Sequence, residues 1–340
     1  MRIYHIPIFV PHKGCPHDCV FCNQKKITGQ TAEVTSATVK KTIDDYLSSI
    51  SHSKDEERYI EVAFFGGSFT GIEIKQQIEL MQVAHKYLLD GKINAIRCST
   101  RPDYINDEIL TMLKSYGMSV IELGVQTTDC DVLKMSNRGH TFDDVKRAAH
   151  LIHSHGISLG LQMMTGLPGD SLEKSLKTAE DIISLKPDCV RIYPTLVLEG
   201  THLMQMYIDG VYKPFDLEET IELCSKLLIM FRRSNIPVIR VGLQTTDNIN
   251  EGSVIGPYHP AIGELCTGRI IRSAIEKNMQ KSTCLKVYAN PSMVSATIGH
   301  KKDNKRYFLA EYATELQVIS DSELAPDRIR ILGKTVDIYG

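Results

Sequence analysis

Three cysteines fall within eight residues in Gly14-Cys15-Pro16-His17-Asp18-Cys19-Val20-Phe21-Cys22-Asn23, a C-x3-C-x2-C loop directly behind an apolar run. In a reducing compartment, thiolates this close converge on a metal or an iron–sulfur cluster rather than on each other. Structural zinc takes four ligands, so Cys15, Cys19 and Cys22 leave it one short, and His12 or His17 would complete the set. A [4Fe–4S] cluster held by three thiolates instead leaves one iron open to a substrate or cofactor. Spacing alone keeps both open. The other six cysteines (Cys98, Cys130, Cys189, Cys224, Cys266 and Cys284) are scattered, several in apolar segments, and read as small buried hydrophobes.

Further candidates follow the loop. Phe64-Phe65-Gly66-Gly67-Ser68-Phe69 pairs two glycines, which let backbone approach a ligand closely or simply make a tight turn. In Cys98-Ser99-Thr100-Arg101-Pro102-Asp103-Tyr104, Arg101 and Asp103 suit a turn-stabilising ion pair as well as a pocket. Arg138, in Asn137-Arg138-Gly139-His140-Thr141, would by itself be a solvated charge. Tyr193, in Arg191-Ile192-Tyr193-Pro194-Thr195-Leu196-Val197, is either a sheet-edge residue or a pocket wall. The stretch LGVQTTD at 123–129 is echoed by VGLQTTD at 241–247, which makes Gln126 and Gln244 pocket candidates.

These residues sit at the ends of short apolar runs. Candidate strands are Ile3–Val10, Ile60–Phe65, Ala95–Ser99, Ser119–Val125, Ser158–Met163, Val190–Tyr193 and Pro237–Leu243. The early ones are nearly all apolar, as strands of a parallel sheet covered on both faces are. Between them lie amphipathic stretches with capping signals at Asn106, at Thr141 with Asp144, at Asp170 with Glu173, and at Asp216 with Glu219. Repeated β–α alternation gives an α/β protein, either a doubly wound open sheet or a (β/α) barrel whose site gathers at the strand C-termini. Beyond about residue 250 the pattern changes to a Gly/Pro-rich connector, a helical stretch near Ala261–Asn278 and then short strands. The expected division is a barrel over 1–248 and a small α+β extension over 249–340.

Composition excludes more than it assigns. With 340 residues, 42% hydrophobic and 24% charged, the chain is an ordinary globular one and not a coiled coil, a collagen or a disordered polymer. Lys+Arg 39 against Asp+Glu 41 leaves −2, so global charge makes no case for nucleic acid. Locally, Gly268 to Arg306 carries nine Lys/Arg against two Asp/Glu, a basic segment that is either a solvated face or a polyanion site. No apolar run approaches the roughly 20 residues of a membrane helix, and the opening residues make a poor signal peptide, so a cytoplasmic location is expected.

A C-x3-C-x2-C loop after the first strand, with Phe21 just before the third cysteine, resembles the radical S-adenosylmethionine (SAM) superfamily. The motifs TRPDY, E-L-G-V-Q-T at Glu122–Thr127, N-R-G-H-T at Asn137–Thr141, and RIYPTLV followed by Gly200-Thr201 closely resemble Elongator catalytic subunit-like members, in order from about Pro7 to Leu243. The resemblance implies a partial (β/α)6 barrel opened on one side. It also implies a [4Fe–4S] cluster on Cys15, Cys19 and Cys22 whose open iron chelates SAM, and reductive cleavage of SAM to a 5′-deoxyadenosyl radical that abstracts hydrogen. By the same resemblance Gly66, Gly67 and Ser68 hold the SAM amino group, Arg138 its carboxylate and Gln126 its ribose. Ser99 stands where relatives carry Glu, and Gln162 where coproporphyrinogen oxidase-type members carry a ribose-binding Asp.

The C-terminal acetyl-CoA-binding domain of Elongator-type members has no counterpart in the roughly 90 residues after the barrel, which show no Gly-rich pyrophosphate loop. Expected partners are an external one-electron donor and a substrate, with a tRNA or RNA nucleoside the family-guided choice. A coproporphyrinogen oxidase-like oxidation is the rival within enzymes. A zinc- and nucleic-acid-binding module is the rival outside them.

Overall fold

The computed structural model describes residues 2–10, 19–23, 34–50, 57–243 and 252–340. Seven parallel strands form one sheet in the order β1-β2-β3-β4-β5-β6-β8. They are β1 (Arg2–Val10), β2 (Arg58–Gly66), β3 (Ala95–Thr100), β4 (Met118–Gln126), β5 (Ser158–Thr165), β6 (Cys189–Pro194) and β8 (Val238–Val241). Every neighbour in the sheet is the next strand of the repeat, the order of a singly wound β–α repeat. Two-residue strands β7 (Val197–Leu198) and β9 (Val254–Ile255) pair separately. The sheet is open, and the architecture is the α/β half-barrel with a small α+β extension that the motifs implied.

Helices cover one face. They are α1 (Ser36–Ser49), α2 (Ile74–Leu89), α3 (Asp107–Ser115), α4 (Cys130–Met135), α5 (Phe142–Ser154), α6 (Leu172–Ser184), α7 (His202–Ile208) and α8 (Leu217–Arg233). Alternate strand residues such as Ile6, Val62, Phe64, Ile96, Ile121, Leu159 and Val190 meet Leu80, Leu110, Ala148, Ile182 and Leu227 of those helices in one buried core. Because side chains alternate across a strand, the intervening residues line the opposite face.

The expected caps mostly form. Asn106 accepts from the Ile109 N–H, and capping boxes close at Thr141 with Asp144 and at Asp216 with Glu219. One expectation is corrected. The N-cap of α6 is Ser171, whose hydroxyl accepts from the Lys174 N–H, and not Asp170. The Asp170 carboxylate is drawn backwards, accepting from the Gly166 N–H at 2.7 Å and the Ser175 hydroxyl at 2.7 Å. It ties the turn after β5 to the first turns of α6 without capping the helix.

The C-terminal part has its own sheet, ordered β11-β10-β12-β13, from β10 (Cys284–Ala289), β11 (Glu315–Ser320), β12 (Arg328–Ile331) and β13 (Lys334–Asp337). Helix α9 (Ile262–Asn278) bridges the two cores. Ile262 and Cys266 pack into the first, and Ile270, Ile271 and Ile275 pack with Leu285, Val287, Phe308, Leu316 and Ile331 in the second. The run of short strands expected after α9 is interrupted by two helices, α10 (Val294–Ile298) and α11 (Asp303–Tyr312). The α11 sequence carries little amphipathic periodicity, and the two helices pack on the sheet through Ala296 and Phe308. The expected boundary at 248 falls outside the described residues.

Candidate functional site

All seven parallel strands run the same way, so their C-terminal ends share one rim of the sheet, where strand-to-helix loops can build a site. The cysteine segment arrives there from β1. The Val20 N–H donates to the Ser136 carbonyl at the end of α4 (3.2 Å), and the Leu203 N–H of α7 donates to the Val20 carbonyl (2.7 Å). The Asn23 side chain donates to the Glu199 carbonyl at 3.0 Å, and a Cβ on Gly200 would lie 3.1 Å from that amide nitrogen. The cysteine segment is thereby clasped between the stretches after β4 and after β6. Cys22 turns back through its N–H onto the Cys19 carbonyl at 2.9 Å. Cys15, His12 and His17 lie outside the described residues, as does Gln244.

Arg138 is the centre of this rim. It is 7% exposed, which replaces the solvated charge of the sequence reading with a buried guanidinium. Its Nη1 lies 3.5 Å from Cys19 Sγ, and its Nη2 donates to the Gly124 carbonyl at 2.6 Å. Gly124 admits this because it has no side chain, since a Cβ there would sit 2.8 Å from Arg138 Nη2 and 2.9 Å from Gln126 Nε2. Arg138 Nε and Gln126 Oε1 are buried and take no hydrogen bond among the described residues. Gln126 also holds a left-handed backbone, φ 67°, at the end of β4. Unspent polar atoms and a strained residue at one strand terminus are what a polar ligand would satisfy.

Gly66 ends β2 with φ 104°, a conformation open to glycine, and the Gly67 N–H donates to the Val10 carbonyl at 3.0 Å. Ser68 beside them is buried. On β5 the Gln162 amide donates to Ser99 Oγ at 3.2 Å and to Glu122 Oε2 at 3.0 Å, which brings two sequence candidates together on a buried carboxylate. Arg101 and Asp103 make the two-pronged ion pair of a turn, with Nε and Nη2 each 2.9 Å from a carboxylate oxygen.

Sequence reasoning missed the floor beneath. On the face opposite the helix-packed core, Glu61, Arg97, Glu122 and Arg191 form a buried row across β2, β3, β4 and β6. Arg97 Nε lies 2.8 Å from Glu61 Oε2 and its Nη1 lies 2.8 Å from Glu122 Oε1, while Arg191 Nε lies 2.6 Å from Glu122 Oε2. His5 of β1 extends the row, with Nδ1 2.9 Å from Glu61. Burial pushes the Glu122 carboxyl up, but Arg191 and Arg97 outweigh it and hold the group below its ordinary range. Tyr193 stands two residues beyond Arg191 on the same strand face, its hydroxyl pushed up by burial and held back in part by Arg191. The available signal was a charged residue in the middle of several otherwise apolar strands, alternating in sign from one to the next. Of the scattered cysteines, Cys98, Cys189, Cys224 and Cys266 are buried and Cys284 partly so, whereas Cys130 is exposed at the start of α4.

His140 adds a titration. Burial first, then the Arg138 and Arg101 charges, lower it from about 6.5 to about 3. A folded-state value below the unfolded one means stability is full above about pH 6.5 and declines as pH falls toward 3. Glu122 is also depressed, but its stability is lost only below its ordinary 4.5. A His140→Gln chain is therefore expected to lose most of the slope of urea midpoint against pH between about 6.5 and 4.5, while retaining the steeper fall below. An unchanged slope in that window would show that His140 is solvated.

The family model described as the radical SAM superfamily matches residues 9–182, and that of the radical SAM C-terminal domain matches 187–272. The chain belongs to the radical SAM superfamily. It is an enzyme of that superfamily, with an Elongator-like sequence. A tRNA uridine(34) acetyltransferase of Methanocaldococcus jannaschii is 30% identical over 257 residues, covering 65% of this chain and 47% of that protein. An uncharacterized protein of the same organism is 26% identical, over 75% of this chain and 79% of its own. Among solved structures, the archaeal Methanocaldococcus infernus Elp3 with an N-terminus deletion (1–46) superposes with a TM-score of 0.60 at 25% identity, over 81% of this chain and 63% of that one. The chain spans about half the length of the tRNA acetyltransferases it matches. Among the described residues of this radical SAM protein, no helix is long and apolar enough to cross a membrane.

Proposed function

We propose that this radical SAM enzyme binds a [4Fe–4S] cluster on Cys15, Cys19 and Cys22 and SAM along the rim of the sheet, and acts on a nucleoside of tRNA. When bound, the cluster and SAM supply a one-electron cleavage of the sulfonium bond and an adenosyl radical that takes hydrogen from the substrate. The observation that carries this is the buried Arg138 guanidinium, 3.5 Å from Cys19 and with Nε unspent. It contacts the Cys19 sulfur on one side and offers a donor to a carboxylate on the other.

The other residues fit a cofactor of that shape. Gly66, Gly67 and Ser68 present backbone that can close on an amino group. Gln126, with an unsatisfied buried Oε1, accepts a hydrogen bond from a ribose hydroxyl. Ser99 and Gln162, already in contact, orient one another on β3 and β5. Tyr193 and Gln244 are assigned to the wall on the substrate side. An external one-electron donor and a cytoplasmic location complete the reading, and the roughly 30% identity to tRNA uridine(34) acetyltransferases supports tRNA over a tetrapyrrole.

The test uses protein purified without oxygen. It should be brown, hold about four iron and four sulfide per chain, and release 5′-deoxyadenosine when given dithionite and SAM. Added tRNA should increase that release, and coproporphyrinogen should not. A colourless chain with one tightly held zinc would overturn the reading in favour of a binding module.

A further inference from the structure

The basic segment from Gly268 to Arg306 lies, but for its first five residues, beyond those matched by either family model. It is folded into a specific arrangement. Strand β10 leads into the short helix α10, a four-residue loop Gly299-His300-Lys301-Lys302, the helix α11 and then strand β11, which pairs parallel to β10 at the edge of the sheet. Three of the four loop residues have positive φ, Gly299 (84°), Lys301 (49°) and Lys302 (65°), and the two lysines are in the left-handed helical region. Two adjacent lysines in that region are sterically disfavoured and persist only where the surroundings hold them.

The surroundings do. Asn304, fully buried behind the loop, donates through Nδ2 to the Gly268 carbonyl at 3.0 Å and the Thr297 carbonyl at 3.2 Å. Its Oδ1 accepts from Arg272 Nε at 2.9 Å. The Lys302 N–H closes the turn onto the Gly299 carbonyl at 2.9 Å. Gly299 is pressed so near α11 that a Cβ would lie 2.6 Å from the Asn304 nitrogen. Charge is presented outward. Lys301, Lys302 and Arg306 are exposed, and Asp303, the acid beside them, is ion-paired to Arg272 and lies 3.7 Å from Arg306. Among the described residues no acidic group pairs with Lys301 or Lys302.

A Gly-x-x-Gly loop between two helices on a sheet is how KH modules clamp a run of backbone phosphates, with the bases laid beside it. Here Lys302 occupies the fourth position with a glycine-like backbone. We infer that the Gly299–Lys302 loop between α10 and α11 is a grip for the sugar–phosphate backbone of single-stranded RNA. The inference rests on the proposed RNA substrate, and under it the C-terminal part holds an unpaired stretch of tRNA while the half-barrel acts on a nucleoside. Phosphate contacts position a strand without reading it, so the grip should be tolerant of sequence.

The test measures binding of the cluster-loaded full chain to fluorescein-labelled tRNA transcript and to a single-stranded RNA oligonucleotide, by anisotropy across a salt series. A chain carrying Lys301→Asp and Lys302→Asp should bind about tenfold or more weakly, with the salt slope reduced by about two. Lys301→Ala with Lys302→Gly keeps the loop path with less strain and should also weaken binding, but to a smaller extent. Lys277→Asp with Lys281→Asp, exposed in the same basic segment, should change it little. RNA-independent release of 5′-deoxyadenosine should be unchanged in all three.

If the control pair weakens binding as much as the loop pair, the contact is general charge and the inference fails. If wild type binds RNA and the loop variants bind equally well, the inference fails while the RNA reading stands. Loop-dependent binding with no tRNA-stimulated turnover would keep the grip and remove the nucleoside substrate. Wild type that binds no RNA at all removes both.

Discussion

Cys19→Ala is expected to leave a pale protein with little iron and to lower 5′-deoxyadenosine release to background. Three thiolates are the minimum that holds a cluster with one open iron, and two do not suffice. Arg138 Nη1 lies 3.5 Å from Cys19 Sγ, so the loss of Cys19 removes both a ligand and a partner of a buried guanidinium. The measurement is iron and sulfide content with a turnover assay, set beside thermal unfolding to separate cofactor loss from collapse. Arg138→Lys should behave differently. A point charge keeps the cationic character without the planar fork, so the cluster should persist while the KM for SAM rises. Full iron and full turnover in the Cys19→Ala chain would end the cluster assignment.

Glu122→Gln is expected to cost about 3–5 kcal/mol of stability, the range for breaking a buried ion pair, because it takes the carboxylate from Arg191 and leaves Arg97 with Glu61 alone. Glu122 is 1% exposed and sits between two arginines, with Arg97 Nη1 at 2.8 Å and Arg191 Nε at 2.6 Å. Its replacement leaves two guanidinium groups facing one another in a site that water does not reach. The readout is the urea midpoint above pH 6.5, where Glu122 and His140 both contribute fully. The double change Glu122→Gln with Arg191→Met should recover part of the loss, because the second substitution withdraws one of the stranded charges. A loss under about 1 kcal/mol would mean that the row is solvated, as exposed ion pairs are.

The row also shows where reading the chain linearly stops. Each member was visible as a charged residue inside an apolar strand. The partners, however, are separated by 36, 25 and 69 residues. Only the register of neighbouring strands brings them level. The same holds at the rim. Arg138 and Cys19 are 119 residues apart, and nothing local to Asn137–Thr141 distinguishes a buried donor from a solvated charge. The exchange of Asp170 for Ser171 as the cap of α6 has the opposite origin. The two are equally good capping residues in sequence, and in the fold the Asp170 carboxylate is engaged by the Gly166 N–H while Ser171 caps the helix.

What the amino-acid sequence determined by itself was the set of chemical types and their order: thiolates after the first strand, glycines after the second, amide and guanidinium groups after the fourth. Helix caps and strand alternation were legible too, because they depend on neighbours two to four residues away. The tertiary structure alone decided that Arg138 is buried against Cys19, that charges of four strands neutralise one another beneath the rim, and that two lysines hold left-handed backbone at the Gly299–Lys302 loop. Those are outcomes of sheet register and of packing between segments far apart in the chain, and short-range preference does not encode them.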